Sequence, residues 1–327
     1  MSLGFGASLA KPTEIETCRA NLTTSIPFSN STLLAFCLCS NTVNHEGQAP
    51  ALCSAFSADG NTVFTGGADK AVRMWQLGQQ PANGVPQQIG AHDAPVRSVG
   101  YLPTTNMIVS GGWDSKLKFW DGRSPTAAMT LDLPERCYAL DVRQNLLVVA
   151  TAGRQIISYD VTGTPREAER KESPLKFQSR CIAAFPDMTG FAVGSIEGRV
   201  AIHYFQKNVP PGKESFAFKC HRQQQEVYSV NDICFHPYGT FATVGGDGVV
   251  NFWDKDNKQR LKGFPAINRT IPCAAFNAQG NMFAYASSYD WSKGSQFGSP
   301  NSQNEIFLHY VAEDEIKPKG KKTGARR

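Results

Sequence analysis

Five times along this chain a short strand signal, a Gly or Ser pair, an acidic residue and a closing ring recur at nearly fixed spacing, and this repetition constrains the fold most. The clearest copies run from Val63 to Trp75, from Ile108 to Trp120 and from Phe241 to Trp253, each with an Asp six residues before the Trp. A weaker copy places Glu197 and His203 in those two slots, and a degenerate one ends at Tyr159. The closing positions 75, 120, 159, 203 and 253 are 45, 39, 44 and 50 residues apart.

A period of roughly 40 to 45 residues built of short strands is the mark of a WD-repeat β-propeller blade. Within each final strand the residues alternate as a two-residue period requires: Ala71, Arg73 and Trp75 fall on one face and Val72 and Met74 on the other. Gly66-Gly67, Gly111-Gly112 and Gly245-Gly246 precede the turn, where the backbone approaches closely or takes positive φ. Asp69, Asp114 and Asp247 sit in that turn and can bond its backbone. Asp69, Trp75, Asp114, Trp120, Asp247 and Trp253 therefore read as structural residues of the repeat.

A sixth unit is interrupted. Cys273 to Ser288 repeats the first half of the pattern, a Gly/Ser/Asn-rich insertion runs from Ser292 to Asn304, and the strand IFLHY then closes the unit with His309 in the slot of His203. No seventh unit is readable between Thr17 and Asn44, and recognisable pattern resumes at His45. The expected fold is all-β: a WD-repeat propeller of a seven-bladed class, with six readable repeats and a degenerate or missing first blade. Residues 1–46 form an N-terminal segment with a possible closing strand and an aberrant first blade. Residues 47–312 form the propeller, and 313–327 a basic disordered tail.

Charge narrows the partner classes. Of the net charge of +5, Lys317, Lys319, Lys321, Lys322, Arg326 and Arg327 supply +6, leaving 5 − 6 = −1 for the body. The tail has no apolar periodicity and reads as a nonspecific phosphate contact, a nuclear-import signal or a solvated end. Arg199, Lys219, Arg222, Lys255, Lys258, Arg260 and Lys262 belong to two consecutive units. With Phe218 and the edge of Trp253 they suit either a basic and aromatic groove for nucleic acid or an ordinary solvated rim.

Enzymatic readings find no support. Gly320-Lys321 lacks the earlier Gly of a P-loop, and there is no dinucleotide fingerprint, Gly-x-Ser-x-Gly elbow or His-Glu-x-x-His helix. His45 and His92 read as turn histidines that bond inside a blade. Of nine cysteines, Cys53, Cys181, Cys234 and Cys273 fall at similar places on first strands and read as buried hydrophobes. Cys37 and Cys39 alone do not make a metal site, so neither metal nor cofactor is expected. The apolar run Leu33 to Cys39 is far shorter than the ~20 residues of a membrane span, and it lacks a signal peptide's flank, which reads as an intracellular chain without membrane insertion.

From about Gly47 to Lys317 the chain resembles the mRNA export factor family of the nuclear pore. The resemblance is carried by HDAPV (His92 to Val96), WDSKLKFWD (Trp113 to Asp121), LPERCY (Leu133 to Tyr138), ESPLK (Glu172 to Lys176), GSIEGRVAIHY (Gly194 to Tyr204), FKCHR (Phe218 to Arg222), FWDKD (Phe252 to Asp256) and ASSYDWSKG (Ala286 to Gly294). The sister spindle-checkpoint propellers share SIEGRVA and KCHR but not LPERCY, FWDKD or YDWSKG.

The resemblance implies a noncatalytic adaptor that binds the GLEBS peptide motif of a nucleoporin and contacts RNA or messenger ribonucleoprotein without sequence preference and with salt sensitivity. It also implies spindle or microtubule-associated partners, and a location in the nucleus and at the nuclear pore with a cytoplasmic pool. The surface it implies is Arg199, Phe218, Lys219, Trp253, Asp254, Lys255, Lys258 and Arg260, with Arg222 beside them. The alternative reading is a checkpoint or mitotic spindle scaffold that binds kinetochore peptides. Pro12 to Glu16 resembles the family's opening strand, but the blade expected after it is absent. An altered gene product, a six-bladed ring and an open ring with an exposed edge all remain open.

Overall fold

The computed structural model describes residues 16–18, 49–76, 87–206, 211–290 and 304–318, together with 292, 294 and 296. The chain lays down one four-stranded antiparallel sheet after another. The first short strand, β1 (Glu16–Cys18), is used last. The first blade is β2 (Ala51–Phe56), β3 (Thr62–Gly67), β4 (Ala71–Gln76) and β5 (Gln87–Ala91). The second is β6 (Val96–Leu102), β7 (Met107–Gly112), β8 (Lys116–Trp120) and β9 (Ala127–Asp132). The third is β10 (Cys137–Arg143), β11 (Leu146–Thr151), β12 (Gln155–Asp160) and β13 (Arg166–Glu172).

The fourth blade is β14 (Ser179–Ala184), β15 (Gly190–Ser195), β16 (Arg199–Tyr204) and β17 (Phe216–Lys219). A small hairpin, β18 (Arg222–Gln223) with β19 (Glu226–Val227), leads to the fifth: β20 (Val230–Phe235), β21 (Phe241–Gly245), β22 (Val250–Asp254) and β23 (Gln259–Gly263). The sixth contains β24 (Ala274–Phe276), β25 (Met282–Ser287) and β26 (Glu305–Tyr310), and β1 pairs with β26 as its outer strand. The amino-terminal strand thus fastens the last blade, a few residues beyond Pro12 to Glu16 where the sequence places it.

The register bears out the repeat. Trp75, Trp120, Tyr159, His203, Trp253 and His309 pair with Val63, Ile108, Leu147, Phe191, Phe241 and Phe283 near the start of each second strand. Successive inner strands pack in the series β2, β6, β10, β14, β20 and β24, whereas β24 and β2 share no comparable packing among the described residues. Six blades therefore stand in a propeller arrangement, compatible with a seven-bladed family whose first blade is degenerate; residues 19–48 lie outside the described residues.

Side chains lock each blade to the next. Trp120 is almost fully buried against the preceding blade, and a Cβ on Gly90 would stand 2.0 Å from its ring, so only glycine fits there. The inner strands are sheet edges whose unpaired N–H groups need acceptors. Asp141 on β10 accepts from the N–H of Ala184 at 2.8 Å, and Asp232 on β20 accepts from that of Ala274 at 3.0 Å, each reaching the following blade.

Glu313–Ile316 form a short helix, α1, against β22 and β23 with Ile316 buried, and Lys317 pairs with Glu313 at 3.0 Å. The ordered fold thus extends beyond residue 313, where the sequence reading starts a disordered tail. Burial of Ile316 and the Lys262–Glu315 and His309–Glu315 pairs hold this turn. The remaining tail charges from Lys319 onward lie outside the described residues, as does most of the insertion between Ser292 and Asn304. Among the described residues no helix is long and apolar enough to cross a membrane.

Candidate functional site

The recurring Asp and Trp residues are tied into hydrogen-bond chains inside the blades. In the second blade Trp120 Nε1–H donates to Ser110 Oγ at 2.7 Å, Ser110 Oγ lies 2.6 Å from His92 Nε2, and His92 Nδ1 lies 3.0 Å from both Asp114 oxygens. Because Trp can only donate, Ser110 passes its own hydrogen to His92 Nε2, and the neutral imidazole gives its Nδ1–H to Asp114. Burial lowers the His92 pKa despite the Asp114 carboxylate, and Asp114 is itself held below the usual carboxylate range by the Asp93 N–H and His92, against the opposing effect of its burial. In the fifth blade Trp253, Thr243, His221 and Asp247 repeat the arrangement, with distances of 2.9, 2.9 and 2.8 Å. The first blade has Trp75 on Thr65 at 2.9 Å and Asp69 paired with Arg73, while His45 lies outside the described residues. His221 carries no spacing signal in the sequence, because its separation from Trp253 differs from that of His92 from Trp120.

Antiparallel order decides which loops share a face. Turns between second and third strands, and connections from fourth strands to the next blade, lie at one end; the other turns lie at the opposite end. Large apolar side chains on the first face are unexpectedly open: Trp113 is 41% exposed, Phe177 54%, Ile196 38% and Val227 46%. Trp113, Phe177 and Ile196 lie in loops, and Val227 ends the small β18–β19 hairpin before the fifth blade. The sequence carries no periodic signal for them, since they fall outside the alternating strands.

The basic and aromatic set splits in the structure. Between the outer strand β17 of the fourth blade and β22 of the fifth, Phe218 packs on Trp253 with ring centroids 4.7 Å apart, and Lys258 Nζ lies 4.9 Å over Phe216. Lys219, Arg222, Lys258, Arg260 and Lys262 are exposed, while Arg199 is half-buried opposite Lys219 in the strand register. Arg222 donates to the carbonyls of Glu197 and Gly198, fixing it at the first face, and Arg260 reaches Asn251 at 3.4 Å. These residues bring half-buried aromatic rings and exposed cations together at the junction of the fourth and fifth blades.

Two members of the expected surface do not reach it. Asp254 is 2% exposed and accepts from the N–H groups of Asp256 and Asn257 and from the Asn257 amide, which closes the β22–β23 turn. Lys255 is 5% exposed, its ammonium lying 5.0 Å over Phe185 and 5.6 Å over Tyr204 with Asp256 at 3.1 Å. Both are corrected to packing residues of this junction, because the turn points them inward. Trp253 is half-buried and contributes to this surface and to the hydrogen-bond chain alike.

Six free cysteines have described surroundings. Cys53, Cys181 and Cys273 share one place on their inner strands, but Cys234 stands two residues further on and Asp232 takes the matching place. Burial pushes the Cys53 thiol up to about 12 and those of Cys181, Cys234 and Cys273 well above the usual range, so they are unreactive.

The family model for the WD domain, G-beta repeat, matches residues 37–76, 84–121 and 212–254. Its first match begins before His45, where the sequence reading resumes the pattern. Protein Rae1 of Drosophila melanogaster is 46% identical over 282 residues, covering 83% of this chain and 80% of that protein. The Poly(A)+ RNA export protein of Schizosaccharomyces pombe is 45% identical over 287 residues, 85% and 80% of the two chains. The mRNA export factor of Bos taurus is 50% identical over 293 residues, 85% and 77%.

Proposed function

This chain belongs to the WD-repeat family of mRNA export factors, and from that premise we propose that it is a noncatalytic adaptor in nuclear mRNA export. It acts in the nucleus and at the nuclear pore, with a cytoplasmic pool. A nucleoporin GLEBS peptide docks on the first face, and RNA or messenger ribonucleoprotein lies along the junction of the fourth and fifth blades. The observation that carries the reading is the basic and aromatic surface at that junction: Phe218 on Trp253, Lys258 over Phe216, and Lys219, Arg222 and Arg260 exposed beside them.

An aromatic ring face accepts any base, and the cations contact phosphates without reading sequence. The exposed Trp113, Phe177, Ile196 and Val227 all stand at the end of the ring where the peptide would dock, and offer it apolar side chains to cover. Titration of fluorescent single-stranded RNA by anisotropy tests the RNA half. Four exposed cations give a log–log salt slope of about −3, equivalent to about 50-fold weaker binding between about 50 and about 200 mM salt. Salt-insensitive binding, or binding unaffected by removing these cations, overturns that half.

A further inference from the structure

A cavity of about 1190 Å³ opens among the inner strands of all six blades. Most of its wall is apolar or backbone, but three arginines line it: Arg97, Arg143 and Arg180. Arg143 ends β10 beside Asp141, whose Oδ2 lies 3.8 Å away, so it stands toward the opposite face. Arg97 and Arg180 are a matched pair near the first face. Each is the extra residue of a β-bulge: the register jumps from Val96 to Ser98 in the second blade and from Ser179 to Cys181 in the fourth. A bulge re-aims the side chain it carries, and the two arginines occupy the matching register position of the second and fourth blades, on either side of β10.

Neither guanidinium is well satisfied. Arg97 makes no hydrogen bond or ion pair among the described residues, and its one opposite charge on the wall is Asp232, whose carboxyl it draws down against that group's burial. Arg180 is 29% exposed in its side chain, and its nearest carboxylate, Asp290, lies 4.0 Å away while also facing the Asn231 amide. Burial and the like charge of Arg97 both press on Arg180, against the pull of Asp290. The other carboxylates on the wall, Asp141 and Asp232, are occupied by backbone N–H groups of their own and the next blade, and burial raises their pKa values. An anion between Arg97 and Arg180 relieves their repulsion and fills two planar donor forks. Three or more oxygens on one centre suit two forks better than the two of a carboxylate.

We propose that the channel mouth between Arg97 and Arg180 binds a small phosphorylated anion. The site is separate from the RNA surface on the ring's circumference, and the inner strands admit a small molecule where a folded macromolecule cannot enter. Calorimetric titration of the full chain with inositol hexakisphosphate, and separately with inorganic tripolyphosphate, tests it at fixed ionic strength. One-site binding is expected, weakened about tenfold or more by Arg97→Gln or Arg180→Gln, as loss of a charge-assisted hydrogen bond requires. Lys258→Gln, on the outer surface, should change it by less than about twofold. Circular dichroism checks the fold of each variant, and Arg97→Gln decides the matter should Arg180→Gln unfold, since Arg97 has no intramolecular bond to lose. Absence of binding to the wild-type chain, or binding lost with Lys258→Gln and kept with Arg97→Gln, overturns the proposal.

Discussion

Replacing Ser110 by alanine should destabilise the whole ring out of proportion to the single oxygen removed. Ser110 is fully buried and Trp120 and His92 nearly so, and the hydroxyl is at once acceptor for Trp120 Nε1–H at 2.7 Å and partner of His92 Nε2 at 2.6 Å. Removing it strands a buried donor and a buried acceptor, each costing about 1–3 kcal/mol, so a loss of about 2–4 kcal/mol is expected. Urea unfolding monitored by tryptophan fluorescence and circular dichroism measures it, with an unchanged m value showing that the folded ring is intact. Adding Trp120→Phe to Ser110→Ala removes the stranded indole donor. The double variant should then lose less than the sum of the singles by about 1 kcal/mol or more beyond additivity. A cost below about 0.5 kcal/mol for Ser110→Ala, or strict additivity in the cycle, would refute the hydrogen-bond chain as a stabilising unit.

Gly90→Ala should lower the melting temperature sharply, because its Cβ would stand 2.0 Å from the Trp120 ring, whereas Gly163→Ala, with nothing within 4 Å, should leave it unchanged; differential scanning fluorimetry compares them. Stability should fall as pH drops below the ordinary histidine pKa of 6.5 toward the lowered folded values of His92, His203 and His236. In that window the unfolded chain binds protons that the buried rings refuse, so unfolding midpoints measured from pH 7 to about pH 5 should decline. Lys258→Ala should weaken RNA binding and flatten the salt slope by about 0.7, while the buried Lys255→Met should leave the slope unchanged in the anisotropy titration.

The repeat was legible because it rests on local chemistry. Each Trp needs a hydroxyl beneath it and each turn an Asp, and these requirements keep their spacing when the rest of the blade drifts. The fourth-blade copy with His203 and the sixth with His309 fall in the same register without a Trp, since any ring of suitable bulk covers the strand pair. The basic and aromatic site was legible as a composition but not as a surface. Phe218 and Trp253 meet because adjacent blades bring them together, yet Asp254 and Lys255 turn inward within the same short turn, a choice made by local hydrogen bonds that no period encodes. The Asp141 and Asp232 clasps were invisible for a related reason: they satisfy the edges of neighbouring blades, and sequence spacing carries no record of which N–H faces them. Likewise α1 is too short to show helical periodicity, and tertiary burial of Ile316 decides it.

The most direct test of the adaptor account is a calorimetric titration of the purified chain with a GLEBS hairpin peptide, with a kinetochore kinase peptide as competitor. The account predicts tight one-to-one binding that the competitor does not displace and that weakens when Trp113 and Phe177 on the first face are replaced by alanine. Equal affinity for both peptides, or GLEBS binding indifferent to those two replacements, contradicts it.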